Sequence, residues 1–121
     1  MSTCLATIVN ATSGTVVAHE VHSATSFASR LRGLIFVRSL PLGHALWISP
    51  CTSVHSCFMR FPIDVIFVDA DNIVVGLSNN LTPWRFSRIF RSADGALEVP
   101  TGTIAASNTR TGHVLEFLSA K

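Results

Sequence analysis

Charge is scarce in this chain. Only 13% of its 121 residues are Asp, Glu, Lys or Arg, and the net charge is +2. So small an excess excludes bulk attraction to nucleic acid as the main business of the protein. Cysteine is scarce too. Three cysteines at irregular spacing exclude a disulfide framework and fit a reducing compartment. No charged residue precedes Glu20, so the basic start of a signal peptide is missing. The longest uncharged run, 39–59, is long enough to cross a bilayer. It is broken by Pro41, Gly43, His44, Pro50, His55 and several serines, which excludes a transmembrane helix. A Gly-rich phosphate loop, a nucleophile elbow and a His-Glu-x-x-His motif are all missing. Internal repeats and linkers are missing as well. The expectation is a cytoplasmic protein with no cofactor and no dedicated metal motif.

What remains is apolar. Hydrophobic residues make up 48% of the chain and the mean hydropathy is +0.45. At this length folding buries about two-thirds of the unfolded surface. One domain, 1–121, with a dense β core accounts for such a composition, and disorder does not.

Short β-branched runs at 5–9 and 15–21, separated by Asn10-Ala-Thr-Ser-Gly14, predict an opening hairpin. Phe27, Leu31, Leu34 and Ile35 follow the spacing of one helical face, so an amphipathic helix is expected over 25–36. Arg30 and Arg32 flank its stripe, either solvated or, for Arg30, reaching an anion or carboxylate. Strands are expected at 44–49, 73–77, 96–99 and 113–117, with one helical turn at 104–107. Glu98 and Glu116 alternate with apolar neighbours, which predicts polar faces for both.

The densest stretch is Cys51-Thr-Ser-Val-His-Ser-Cys-Phe-Met-Arg-Phe-Pro-Ile-Asp-Val-Ile-Phe-Val-Asp69. Pro62 divides it, predicting strands at 54–60 and 64–69. Alternation in the first would put Cys51, His55, Cys57 and Met59 on one side. The second is a continuous apolar run, the mark of a strand covered on both faces. Three functional readings compete. Cys51, His55 and Cys57 could ligate a borderline metal, although Cys-x3-His-x-Cys is not a standard zinc spacing. Cys51 and Cys57 could form a disulfide only if the chain turns, because six extended residues span roughly 20 Å. His55, Arg60 and Asp64 could present polar groups in an apolar-walled pocket. The plain alternative is a core histidine, buried thiols and an Arg–Asp pair that fixes the bend.

From Ser78 to Asp94 periodicity breaks. Arg85, Arg88 and Arg91 lie three apart with Trp84, Phe86 and Phe90 among them. Arginines mixed with aromatics suit a small anionic ligand, a protein partner, single-stranded nucleic acid or an anionic membrane surface; the plain alternative is a solvated loop whose aromatics fold back on the body. Duplex nucleic acid is not expected, because nothing resembles a recognition helix.

Arg30-Leu-Arg-Gly-Leu34, the stretch from Cys51 to Asp69, Leu81-Thr-Pro-Trp-Arg85 and Leu97-Glu-Val-Pro-Thr-Gly102 together resemble domain of unknown function family 192 across 24–117. Phe-Met-Arg-x-Pro-Ile-Asp is the most specific part. The resemblance implies a β-rich, barrel-like domain with one or two short helices and no established activity. It places Arg30, Gly33, Met59, Pro62, Asp64, Asp69, Glu98 and Gly112 at family positions. His113 departs, standing where the family usually has Asp. Relatives near pilus or secretion machinery hint at protein partners.

The combined expectation is an α+β, mostly β fold: a partly closed antiparallel barrel of seven or eight strands with one amphipathic helix. A binding site is expected at Arg30, His55, Met59, Arg60, Asp64, Trp84, Arg85 and Glu98, with the 84–91 loop as its rim. One alternative is a hydrolase using His55 with Asp64 or Glu98. Another is an assembly protein whose apolar excess serves an interface. Oligomeric state is not legible.

Overall fold

The computed structural model describes residues 6–23, 40–56 and 59–119. Among these residues are eight strands and one short helix: β1 Ala6–Asn10, β2 Thr15–Ala18, β3 Glu20–Ser23, β4 His44–Ile48, β5 Ile63–Val68, β6 Val74–Leu81, β7 Gly95–Pro100, α1 Thr103–Ala106 and β8 Leu115–Ser119. The expected helix over 25–36, with Arg30 and Gly33, lies outside the described residues.

The opening hairpin forms as expected, with β1 antiparallel to β2. The second arm is shorter than predicted. It stops at Ala18, and β3 continues into another sheet. Two sheets result, in orders β2-β1-β8 and β3-β4-β7-β5-β6. Among the described residues no closed barrel is found; an isolated Ile73–Val114 bridge joins the edge of one sheet to the edge of the other. The five-stranded sheet has a core on each face. One face of the five-stranded sheet supplies Ile66, Val68, Leu97, Val99 and Ala45 to a core shared with Ile8, Val17 and Leu115. The other face supplies Ile63, Val65, Phe67 and Ala96 to a second core, closed by Val54, Met59 and Phe61.

β5 is buried at every position, as its unbroken apolar run predicts. Its hairpin with β6 forms too, through the turn at Asp69. The Asp69 carboxylate accepts N–H groups from Asp71 and Ile73, the local bonding that makes Asp a turn residue. β7 is the central strand and is also buried throughout. Glu98 therefore does not lie on a polar face; it is 6% exposed. Glu116, on the smaller sheet, is exposed as expected. All pairings are antiparallel except β3 with β4, which run parallel with Glu20 opposite His44.

The described residues of the predicted strand over 54–60 do not form a strand. They make one isolated bridge, His55 with Phe86, because their backbone groups are taken by the 82–90 loop. Val54 and Ser56 are buried while His55 is exposed, so alternation holds over these three residues. It fails at Met59, which is buried in the second core rather than sharing the side of His55.

Candidate functional site

The loop after β6 is fixed to the body by the 52–56 segment. Ser56 N–H donates to Arg85 O at 2.9 Å and Trp84 N–H to Ser56 O at 3.1 Å. Ser87 N–H donates to Val54 O and Phe90 N–H to Thr52 O. The Ser56 hydroxyl donates to Thr82 O at 2.5 Å and accepts Arg85 N–H at 3.0 Å. Ser87 Oγ accepts Val54 N–H. One end of the loop is held by Phe90, which packs 4.7 Å from the Phe67 ring. Phe90 occupies the space above Gly76, where a Cβ would meet its ring at 2.2 Å.

Fixed in this way, the loop holds its other apolar side chains outward. Trp84 is 60% exposed, Phe86 76% and Ile89 64%. Trp84 sits in left-handed backbone at φ 66°, an uncommon conformation for a bulky residue. Arg85, Arg88 and Arg91 are exposed among them, and so is Arg60. The guanidinium of Arg88 lies 5.9 Å over the Phe90 ring. His55 is exposed beside this cluster, its ring 6.1 Å from that of Phe86. Trp84, Arg85 and His55 thus belong to one surface.

Asp64 and Glu98 do not share a face. On adjacent strands, directly paired residues point the same way. Glu98 pairs with Val65, and Asp64 with Val99. Glu98 therefore faces the second core, and Asp64 the first. The Asp64 carboxylate is fully engaged there: Oδ1 accepts Asn80 N–H at 2.8 Å, and Oδ2 accepts Gly102 N–H at 3.1 Å and Ile104 N–H at 3.0 Å. Gly102 reaches this position in left-handed backbone, φ 95°, which costs glycine little. Asp64 ties β6 and the start of α1 to the sheet. With the sheet between it and the His55 side, it does not serve as the partner expected for that histidine.

Glu98 lies near Cys51, a free thiol, which disposes of the Cys51–Cys57 disulfide; Cys57 itself is outside the described residues. Burial pushes the Glu98 carboxyl up to about 7. Burial also pushes the Cys51 thiol up; a backbone contact at Ser53 opposes this, and the Glu98 charge adds to it. A thiol raised in this way is not a ready nucleophile at neutral pH.

A second polar cluster was only half visible in the spacing of its residues. Glu20, His22 and His44 bring their side-chain tips together at the edge of the sheet. Period-2 spacing alone puts Glu20 and His22 on one face, but only the parallel pairing of β3 and β4 adds His44. A shallow cleft adjoins this cluster, bordered by Val16, His19, Leu42 and Ser107, with the His19 ring 6.5 Å from that of His44. It includes none of the residues expected to bind.

Among the described residues no helix is long and apolar enough to cross a membrane. The model of the family "Uncharacterized ACR", domain of unknown function family 192, matches residues 8–117, starting earlier than the motifs suggest. A UPF0127 protein of Pyrococcus furiosus is 36% identical over 115 residues, covering 91% of this chain and 97% of that protein. Another, of Thermococcus sibiricus, is 34% identical over 116 residues, covering 91% of this chain and 73% of that protein. A solved structure of a protein of unknown function from Novosphingobium aromaticivorans superposes with a TM-score of 0.75 at 23% identity, over 92% of this chain and 82% of that one. A chain from Sinorhizobium meliloti gives 0.72 at 21%, over 93% and 91%. The architecture is shared with these two, and the chain belongs to domain of unknown function family 192.

Proposed function

We propose that the chain is a single-domain, cytoplasmic binding module that engages an acidic protein segment through its 82–91 loop. The supporting observation is the outward display of Trp84, Phe86 and Ile89 among Arg85, Arg88 and Arg91 on a loop already fixed by backbone hydrogen bonds. Large side chains held in place lose little entropy on association, and tryptophan and arginine dominate binding energy at interfaces. The arginines bring carboxylates of the partner to the same patch. An outward display of large side chains offers a protein chain an extended contact, whereas a small molecule needs a concave site.

The test is fluorescence anisotropy with a labelled peptide of alternating Glu and Leu, beside a polylysine peptide and an oligothymidylate. The acidic peptide should bind most tightly. Trp84→Ala and Arg88→Ala should each weaken it by about 2 kcal/mol, roughly thirtyfold in Kd, with the thermal midpoint unchanged. Equal binding by the variants, or tighter binding of the oligothymidylate, rejects the reading.

A further inference from the structure

The geometry points to a divalent transition-metal site at the sheet edge, formed by Glu20, His22 and His44, and we propose that it takes zinc in tetrahedral coordination. The three ligand atoms form a nearly equilateral triangle. His22 Nε2 is 3.3 Å from Glu20 Oε2. His44 Nδ1 is 3.6 Å from the same oxygen and 3.4 Å from His22 Nε2. A tetrahedral ion with bonds of about 2.0–2.1 Å separates its ligands by about 3.3–3.4 Å. An octahedral ion with the same bonds separates neighbouring ligands by only about 2.9 Å. The observed edges fit the tetrahedron. Two imidazole nitrogens also disfavour magnesium and calcium, which prefer oxygen.

The site is built by the fold. Glu20 and His22 are two apart on β3, so both point to one face. Parallel pairing sets His44 opposite Glu20, and the His22 and His44 rings stack at 5.6 Å. The three groups, already gathered, need little rearrangement to close on an ion. Their side chains are 25–34% exposed, so an ion can enter from solvent. Three protein ligands leave one tetrahedral position for water or another small ligand. Because β3 is a four-residue edge strand, the ion would also clasp it to β4.

Zinc titration by calorimetry should give one ion per chain at pH 7.5. Cobalt in its place should give the strong visible absorption of tetrahedral coordination. His22→Gln and His44→Gln should each weaken zinc at least tenfold, with far-ultraviolet circular dichroism unchanged. His22 is on the edge strand, so its variant keeps the test valid if the His44 variant unfolds. At pH 5.5 affinity should also fall at least tenfold, since protons compete for the imidazoles. Substoichiometric binding, variants that bind zinc like the parent, or the pale spectrum of octahedral cobalt would overturn the proposal.

Discussion

Replacing Asp64 with alanine should lower the stability of the fold by about 3–5 kcal/mol, a large part of the total that a small domain has. Its carboxylate accepts backbone N–H groups from Asn80, Gly102 and Ile104, and it is 2% exposed. Alanine leaves these donors without an acceptor in a space that water does not readily enter, and each unmade bond costs about 1–3 kcal/mol. Asparagine should do less harm, because one carbonyl oxygen still serves part of the set while its NH2 group faces donors. Urea unfolding of the three proteins, followed by tryptophan fluorescence, should rank them parent, Asn, Ala. An alanine variant within about 1 kcal/mol of the parent would show that the three amides find other partners.

The second large effect concerns Glu98. Its carboxyl is raised from 4.5 to about 7 by burial, so the folded chain holds this proton more tightly than the unfolded chain does. Below about pH 4.5 both forms keep it, and the stabilising contribution is fully present. Between 4.5 and 7 the unfolded chain releases the proton while the folded chain retains it, so stability falls as pH rises. Above about 7 both are ionised, and the cost of the buried charge stands at about 3 kcal/mol. Glu98→Gln removes that charge while keeping the shape. The variant should be more stable than the parent at pH 8, by up to about 3 kcal/mol, and the two should converge near pH 4.5. A parent whose urea midpoint is flat from pH 5 to 8, with this variant no more stable, would contradict the assignment.

These two carboxylates also show how far the sequence can be read. The apolar run in 64–69 announces a strand covered on both faces, and one forms a residue earlier, at Ile63–Val68. The same reasoning misleads at Glu98, because alternation in Ala96-Leu-Glu-Val99 suggests an outer face toward water. β7 is instead the middle strand, and its partners decide burial. Strand order is a long-range property that no local pattern carries. Asp64 could be singled out from its motif, but its partners lie sixteen to forty residues later, so its structural task was not legible. The aromatic and arginine content of 84–91 was legible because composition alone marks it. The strand prediction fails over 54–56 because serine side chains and loop backbone there compete with a ladder. His113 is instructive in another way: its Nδ1 accepts from Asn10 Nδ2 and Arg110 N–H, a service that a carboxylate at this family position could also perform.

The mutual fastening of the 82–90 loop and the 52–56 segment has a dynamic consequence. Neither can part from the other without breaking a whole set of bonds at once, since the amides of Ser56, Trp84, Ser87 and Phe90 all bridge the two. Opening means lifting the loop off the 52–56 segment, and these four amides should exchange with deuterium at one common opening free energy. A partner gripping the tip would then be felt at the floor beneath it, where Cys51 and Glu98 reside, by slowing the moments when water reaches them.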